Sequence, residues 1–158
     1  MQNEKIYIER VKRLIQRQKE ALYEILEELE TEYIKADEPI AYSELANAQW
    51  QKIAPKEVWN KVWGSAWFRV KGSLSKGYPA AEQGLYFDCE GEACVMKEGT
   101  PYQGLTPKVD WYHNAAKHYV PLTPWADENG DFCLYIEGAA NDLFGAGKEE
   151  YRLAISSL

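Results

Sequence analysis

Apolar side chains recur with helical spacing through the first part of the chain, from about Asn3 to Lys35. Spacings of three, four and seven residues are typical of a helix with one apolar face; the positions are Ile8, Val11, Ile15, Leu22, Ile25, Leu26, Leu29 and Tyr33. Asn3 suits the N-cap, and Glu4 suits the positive end of the helix dipole. The pattern therefore predicts a long N-terminal amphipathic helix within residues 1–38.

Charge is distributed unfavourably along this predicted helix. Basic side chains concentrate in its first half and glutamates in its second half, which is the reverse of what the helix dipole favours. Packing of the apolar face must therefore stabilise the helix, because local propensity does not. We expect the partner surface to be the rest of this chain or a neighbouring domain, and an oligomer formed through the helix is an alternative.

The pattern changes to a period of two after Pro39, which ends the helical character. Residues 66–74 alternate between apolar and polar side chains, as in a half-buried strand. Further predicted strands are Gly84–Cys89, Ala93–Lys97, His118–Leu122, Phe132–Gly138 and Tyr151–Ser156. Turn dipeptides separate the strands at Lys76-Gly77, Glu90-Gly91, Glu98-Gly99 and Asn129-Gly130. Residues 39–158 are thus predicted to be mainly β, an antiparallel β-sandwich of the jelly-roll or galactose-binding-like kind.

Composition narrows the functional classes. The 158 residues fit one domain, and 46% apolar and 27% charged residues are ordinary for a globular protein. A net charge of −7 argues against nucleic acid, and no apolar stretch is long enough to span a membrane. Neither a secretory signal nor an even cysteine count is present, so we expect a cytoplasmic protein. Cys89 and Cys94 are predicted to be buried free thiols, while no role is assigned to Cys133.

The residues do not form a recognisable catalytic or metal-binding motif. His113 and His118 lie five positions apart, which does not match a helical zinc pair. The run from Asp127 to Asp131 resembles half of a calcium loop, but a hairpin turn at Asn129-Gly130 explains it more simply. We therefore predict no catalytic residue, no metal ligand and no cofactor in this chain.

Four segments occur in the order in which similar segments occur near the start of certain glycosidases. They are a Trp-Gly-x-x-Trp-Phe stretch, a Phe-Asp…Gly-Glu-Ala pair, a Gly-x-Pro-x-Gln-Gly-Leu turn and an Ile-Glu-x-Ala-x-Asn stretch, at residues 63–69, 87–93, 98–106 and 135–145. In this order the chain resembles the N-terminal region of glycoside hydrolase family 38 α-mannosidases of the bacterial and vacuolar-like branch. Gly138 and Asp142 depart from the alanine and glycine usual in that family.

The resemblance implies a parent enzyme that is a retaining, metal-dependent α-mannosidase with zinc in its catalytic domain. The family's His-x-His motif and the following Asp have no counterpart in this sequence, and Leu158 falls about where that domain would begin. The resemblance therefore implies a non-catalytic accessory domain. Its expected partners are the catalytic domain of the same polypeptide, which it would support, and mannose-containing oligosaccharide.

Five residues are candidates for contact with sugar or with the neighbouring domain. Gln103, in a turn followed by Trp111, is a candidate edge of a sugar-binding surface. Asn141 and Phe144 are candidates for facing the catalytic domain, although loop closure by Asn141 and core packing of Phe144 explain them as well. Tyr102 completes the set, because an autonomous carbohydrate-binding module would use exposed aromatic rings.

Other tryptophans bear on these alternatives. Trp125 would join Tyr102 and Trp111 in an autonomous carbohydrate-binding module. Trp63 and Trp67 are predicted to lie in the core. A structural or oligomerisation domain joined through the helix is the third functional hypothesis.

Overall fold

A computed structural model describes residues 2–20, 22–27, 29–107, 116–141, 145 and 147–158, without the side chains of residues 2–4, 19 and 20. One α-helix, α1 (Gln2–Glu20), precedes the strands. The strands are β1 (Thr31–Ala36), β2 (Gln51–Ile53), β3 (Val58–Lys61), β4 (Ser65–Ser73), β5 (Gly84–Asp88), β6 (Glu92–Lys97), β7 (Thr100–Leu105), β8 (Tyr119–Pro121), β9 (Asp131–Ala139), β10 (Glu150–Arg152) and β11 (Ala154–Ser157). Among the residues that the structure describes, no helix is long and apolar enough to cross a bilayer.

The strands form antiparallel sheets that face each other. The largest sheet has six strands in the order β2-β1-β4-β9-β6-β7, and a three-stranded sheet has the order β11-β5-β8. Strands β10 and β3 form a separate two-stranded sheet. The predicted mainly β, antiparallel sandwich with an N-terminal helix is confirmed.

The core lies between the two larger sheets and is rich in aromatic rings. Strands β4 and β9 pair from Ser65↔Ala139 to Ser73↔Asp131, so that their alternate residues share one face. On that face Phe68 is fully buried, and its ring centroid lies 5.2 Å from that of Phe87 on the opposing sheet. Such an edge-to-face pair joins the layers at the centre of the sandwich.

The outer face of the six-stranded sheet carries a second, smaller apolar cluster. Trp67 points away from Phe68 because it is the next residue on β4, and its indole Nε1 donates to the Ile40 carbonyl at 2.8 Å. A 3₁₀ turn at Tyr42–Asn47 covers this face and buries Leu45. The prediction that Trp67 lies in the core is confirmed, since it is 2% exposed.

The predicted extent of the N-terminal helix is wrong. The helix ends at Glu20, and Thr31–Ala36 is strand β1, paired with β4 and β2. Leu29 and Tyr33 fit a helical spacing, but in a strand this segment gains two ladders of backbone hydrogen bonds and buries Leu29 in the core. Tertiary pairing therefore overrides the local pattern.

The six predicted strands all overlap observed ones, but one of them is divided. Tyr151–Ser156 splits at Leu153, whose backbone bonds to Lys56 and Glu57 rather than to a strand. Strands β1, β2, β3 and β7 were not predicted. Two are only three or four residues long, and β7 contains Pro101, which is tolerated because β7 is an edge strand.

Three of the four predicted turns use glycine as expected. Gly77, Gly99 and Gly130 have positive φ angles. At the fourth turn Glu90 takes the positive φ, of 58°, instead of Gly91. Gly91 is required there for space, because a Cβ at this position would overlap the Ala139 carbonyl.

Candidate functional site

A cleft of about 390 Å³ lies at one end of the six-stranded sheet. Its walls come from the segment after β1, the loop before β4, the start of β6 and the end of β9. We call it the sheet-end cleft. We define it by the acidic, aromatic and thiol side chains that line it, which are Asp37, Glu38, Trp63, Glu92, Cys94 and Glu137.

Trp63 is the most unusual residue of the sheet-end cleft. Its side chain is 67% exposed, and its backbone has a left-handed φ of 68°. For a bulky residue this conformation costs on the order of 1–3 kcal/mol. The prediction that Trp63 lies in the core is therefore wrong.

Backbone hydrogen bonds hold the Trp63 loop in this strained form. The Trp63 N–H donates to the Ala140 carbonyl at 2.9 Å, and the Ala140 N–H donates to the Gly64 carbonyl at 2.9 Å. Asn60 supports the same loop, because its Nδ2 donates to the carbonyls of Ala36 and Ser65. The loop is thus fixed to strands on both sides, and the indole is presented to solvent.

Two glutamates face the cleft from adjacent strands. Glu92 begins β6, and its carboxylate accepts a hydrogen bond from Asn141 Nδ2 at 2.7 Å. Glu137 lies on β9, directly opposite Cys94 of β6. Burial raises the pKa of the Cys94 thiol, and the charge of Glu137 raises it further, so Cys94 is a poor nucleophile.

Acidic groups do not converge on a single point in the part of the chain that the structure describes. No group of three or more His, Cys, Asp or Glu side chains there is placed to hold a metal ion. The carboxylates of the sheet-end cleft are instead spread along its walls.

The predicted contact residues on β7, Tyr102 and Gln103, do not line this cleft. The Tyr102 ring is 49% exposed and packs edge-on against Trp125, with centroids 4.8 Å apart. Gln103 Nε2 donates to the Tyr119 carbonyl at 2.7 Å and so ties β7 to β8 of the other sheet. These contacts show that both side chains stabilise the fold. Contact of Tyr102 and Gln103 with a ligand stays a prediction.

The remaining predicted contact residues divide between the cleft and the undescribed parts. Asn141 lies beside the sheet-end cleft through its bond to Glu92. Trp111 and Phe144 lie outside the described residues, as does His113. The structure thus brings Asn141 together with Trp63, Glu92 and Glu137, which were not among the predicted contact residues. A tryptophan followed directly by glycine, just before a strand, was the available signal for Trp63.

A second groove, of about 430 Å³, lies over the outer face of the six-stranded sheet beside Tyr42, Trp50 and Tyr135. Arg69 crosses it, with its guanidinium 4.3 Å from the Trp50 ring centroid and 2.6 Å from a Glu32 oxygen. The Tyr135 ring also contacts the rings of Tyr42 and Trp50. Because these groups satisfy one another, the groove is a packing region and a weaker candidate than the sheet-end cleft.

The thiols differ in their surroundings. Cys89 is a buried free thiol, as predicted, and burial raises its pKa to about 12. Cys94 is half-buried and Cys133 is exposed, and both are free. The prediction of a buried thiol is therefore correct for Cys89 and only partly correct for Cys94.

Sandwich and cleft together define an antiparallel β-sandwich module that presents an indole ring and carboxylates at one sheet end. Residues 26–157 match the family described as "Alpha-mannosidase, jelly roll domain", and the chain belongs to that family. The relation to α-mannosidases, predicted from the four motif segments, is thereby confirmed, as is the jelly-roll fold, predicted from the alternating strands and their turns.

Two curated relatives are similar to the chain over much of its length. Alpha-mannosidase 2C1 of Homo sapiens is 29% identical over 113 residues, covering 70% of this chain and 10% of the relative. Alpha-mannosidase 2C1 of Mus musculus is 30% identical over 101 residues, covering 62% of this chain and 9% of the relative. The chain thus spans about a tenth of the length of the curated relatives it matches.

Proposed function

We propose that this chain works as a non-catalytic accessory domain that packs on the catalytic domain of an α-mannosidase and supports its geometry. The observation that carries the proposal is the match of residues 26–157 to a jelly-roll domain family of α-mannosidases. The small share of the relatives that the chain spans agrees with an accessory role.

The proposal extends to the parent enzyme. It would be a glycoside hydrolase family 38 enzyme of the bacterial and vacuolar-like branch, would hydrolyse terminal α-mannosides in the cytoplasm with retention, and would hold zinc in its catalytic domain. The four motif segments support the branch, and the lack of a His-x-His motif in this sequence agrees with a metal site elsewhere. The catalytic domain would supply all the groups that break the glycosidic bond.

Helix α1 offers a surface for the contact with the catalytic domain. Tyr7, Val11 and Leu14 lie along one side of the helix, and each is more than half exposed. Near its end, an apolar groove of about 350 Å³ is lined by Tyr23, Ile25 and residues of β5 and β11. Exposed apolar surface of this extent is typical of an interaction site. We assign this surface to the catalytic domain because the relatives are about ten times longer than the chain.

Arg10 and Arg17 border the apolar side of α1 and indicate the charge of its partner surface. Lys5, Lys12 and Arg13 lie further around the helix. Two such helices placed side by side would bring like charges together, which disfavours a dimer made by α1 alone. The proposed contact on the catalytic domain is therefore an apolar groove with acidic edges.

The test uses this chain and the separately produced catalytic region of the same enzyme. The chain alone should not hydrolyse an aryl α-mannoside, and adding it should raise the melting temperature of the catalytic region. Robust turnover by the chain alone would contradict the proposal. So would an unchanged melting temperature of the catalytic region.

A matched pair of variants makes this test specific to α1. Val11→Glu places a charge in the apolar stripe, whereas Ile6→Glu places it about 140° around the helix. The two side chains are similarly exposed, at 55% and 48%. Val11→Glu should remove the thermal effect and Ile6→Glu should keep it. Sedimentation of the chain alone as a dimer that only Val11→Glu dissociates would assign the surface to a second copy instead.

A saccharide-binding role is the second candidate function. The sheet-end cleft is the observation that favours it, because an exposed indole and hydrogen-bonding carboxylates occur there together.

A further inference from the structure

We propose that the sheet-end cleft binds one pyranose unit of a neutral oligosaccharide, which stacks on Trp63 and donates hydroxyl hydrogen bonds to Glu92 and Glu137. This site is distinct from the predicted contact residues Tyr102 and Gln103 on β7. Only the choice of mannose among the pyranoses rests on the proposed function.

The conformation of Trp63 is the first argument. A tryptophan that served only to pack would be buried, as Trp59 and Trp67 are. Trp63 is two-thirds exposed, and the fold holds it at a φ of 68° that a glycine would adopt without strain. Strained residues of this kind cluster at ligand-binding sites. An indole face is suited to the apolar C–H face of a pyranose, while its edge can remain in water.

The carboxylates are the second argument. Glu92 is fixed by the 2.7 Å hydrogen bond from Asn141, and its remaining acceptor positions can take hydroxyl donors. Glu137 lies on the neighbouring strand, opposite Cys94 and two register positions away from Glu92. The hydroxyl groups of a sugar point in different directions around the ring, so they suit carboxylate acceptors that lie apart from one another. Among the described residues, these carboxylates do not form a cluster that could hold a metal ion.

The shape and charge of the cleft are the third argument. Small residues, Gly64, Ala93 and Gly138 among them, line it between the larger side chains and leave the indole accessible. Its volume of about 390 Å³ is in the range of small-molecule sites, roughly 300–1,000 Å³. Asp37 and Glu38 add negative charge at the rim and would repel phosphorylated or acidic sugars. The ligand is therefore a neutral saccharide.

The test follows the indole N–H signals of the chain by NMR during titration with methyl α-mannoside and an α-linked mannobiose. We expect the Trp63 signal to shift with a millimolar dissociation constant, more weakly with methyl α-glucoside and not with mannose 6-phosphate. Glu137→Gln should weaken binding about tenfold, since a hydrogen bond to a charged acceptor is replaced by a neutral one. Tyr78→Ala, at an exposed aromatic side chain that does not line the cleft, is the control and should bind as before.

The substitution Trp63→Gly tests whether Trp63 binds a ligand or only packs against the protein. Glycine relieves the backbone strain, so the melting temperature should stay the same or rise by about 2–4 °C while mannoside binding is lost. A fall in the melting temperature would assign Trp63 to packing and contradict the proposal.

Two further outcomes would overturn the assignment. One is the absence of any Trp63 shift with the mannosides at about 50 mM, a concentration that would saturate a millimolar site. The other is a shift with tetralysine but not with mannosides, which would make the cleft a contact for a basic protein loop. Stronger binding of the glucoside would overturn the choice of mannose. None of these results bears on the accessory role, because thermal stabilisation of the catalytic region tests that role separately.

Discussion

The N-terminal helix and the β-sandwich use similar apolar residues in opposite ways. In the sandwich, Phe68, Leu134 and Ile136 are each completely buried between two sheets. In α1, Val11, Leu14 and Ile15 are each at least 50% exposed. Both segments show clear hydrophobic periodicity, but only the sandwich contains the surface that its apolar residues pack against.

The difference shows which part of the chain can be stable by itself. The sandwich buries a continuous core that includes four fully buried aromatic side chains, Trp59, Phe68, Phe87 and Tyr151. A helix of 19 residues without tertiary packing is marginal in water. We therefore expect the sandwich to fold independently and α1 to gain most of its stability from a partner.

The largest expected effect is in the sandwich core. Phe68→Ala removes a ring that contacts Tyr33, Trp59 and Phe87. It should lower the free energy of unfolding by about 3–5 kcal/mol in urea titration, because the cavity cannot collapse fully. Tyr7→Ala on α1 is the control and should change it by less than about 0.5 kcal/mol. Equal effects of the two substitutions would remove the distinction between the regions.

A smaller effect is expected at the hydrogen bond that Trp59 makes inside the core. Its indole Nε1 donates to the Cys89 carbonyl at 2.8 Å. Trp59→Phe keeps a ring in place but leaves that carbonyl unsatisfied, which should cost about 1–3 kcal/mol. Chemical denaturation measures the loss, and unchanged stability would mean that water replaces the indole as donor.

The ion pair on the outer face of the sandwich gives a pH-dependent effect. Burial by itself raises the pKa of Glu32, but the hydrogen bond and charge of Arg69, with help from Lys71, outweigh it and lower that pKa. Because the pKa of Glu32 is lower in the folded than in the unfolded state, the ion pair stabilises the fold fully at pH values above the unfolded-state pKa. This stabilisation is lost as the pH falls through the folded-state pKa.

The measurement for this pair compares the wild type with Glu32→Gln. The stability difference should be at most about 1 kcal/mol near pH 7, because the pair is partly exposed. It should disappear in acid, below the usual range of a glutamate pKa. A difference that grows on acidification would contradict the assignment.

The smallest effect is expected from deleting residues 2–20. The melting temperature of the sandwich should move by no more than about 2 °C, as α1 leaves its apolar residues exposed. Far-UV circular dichroism should lose its helical component and keep its β component. Loss of the cooperative transition would show that α1 belongs to the folding unit.

Much of the fold was predictable because the strands at its centre alternate cleanly. β4 and β9 are both nine residues long, and the alternation of apolar and polar residues identified them. β9 buries every second side chain, whereas the first four residues of β4 are all buried because Trp67 packs in the outer apolar cluster. β1 was not predicted because Leu29 and Tyr33 also fit a helix, and only pairing with β4 decides between the two structures. Such pairing is a long-range interaction that the local sequence does not contain.

The candidate site was less predictable than the fold. The sequence predicts Asn141 as a contact residue, and it lies beside the cleft. For Trp63 the sequence predicts a core position, because large aromatic residues usually pack there. Its exposure depends on the hydrogen bonds between its loop and Ala140, more than seventy positions later in the chain. Glu92 and Glu137 become neighbours only through the pairing of β6 with β9.

Hydrogen exchange of the chain, alone and mixed with the catalytic region, tests the central claim most directly. We predict slow exchange in β4 and β9 under both conditions, with fast exchange in α1 alone that becomes slow in the mixture. Slow exchange of α1 in the isolated monomer, or no change anywhere on mixing, would contradict the account of a self-sufficient sandwich whose helix docks on the enzyme.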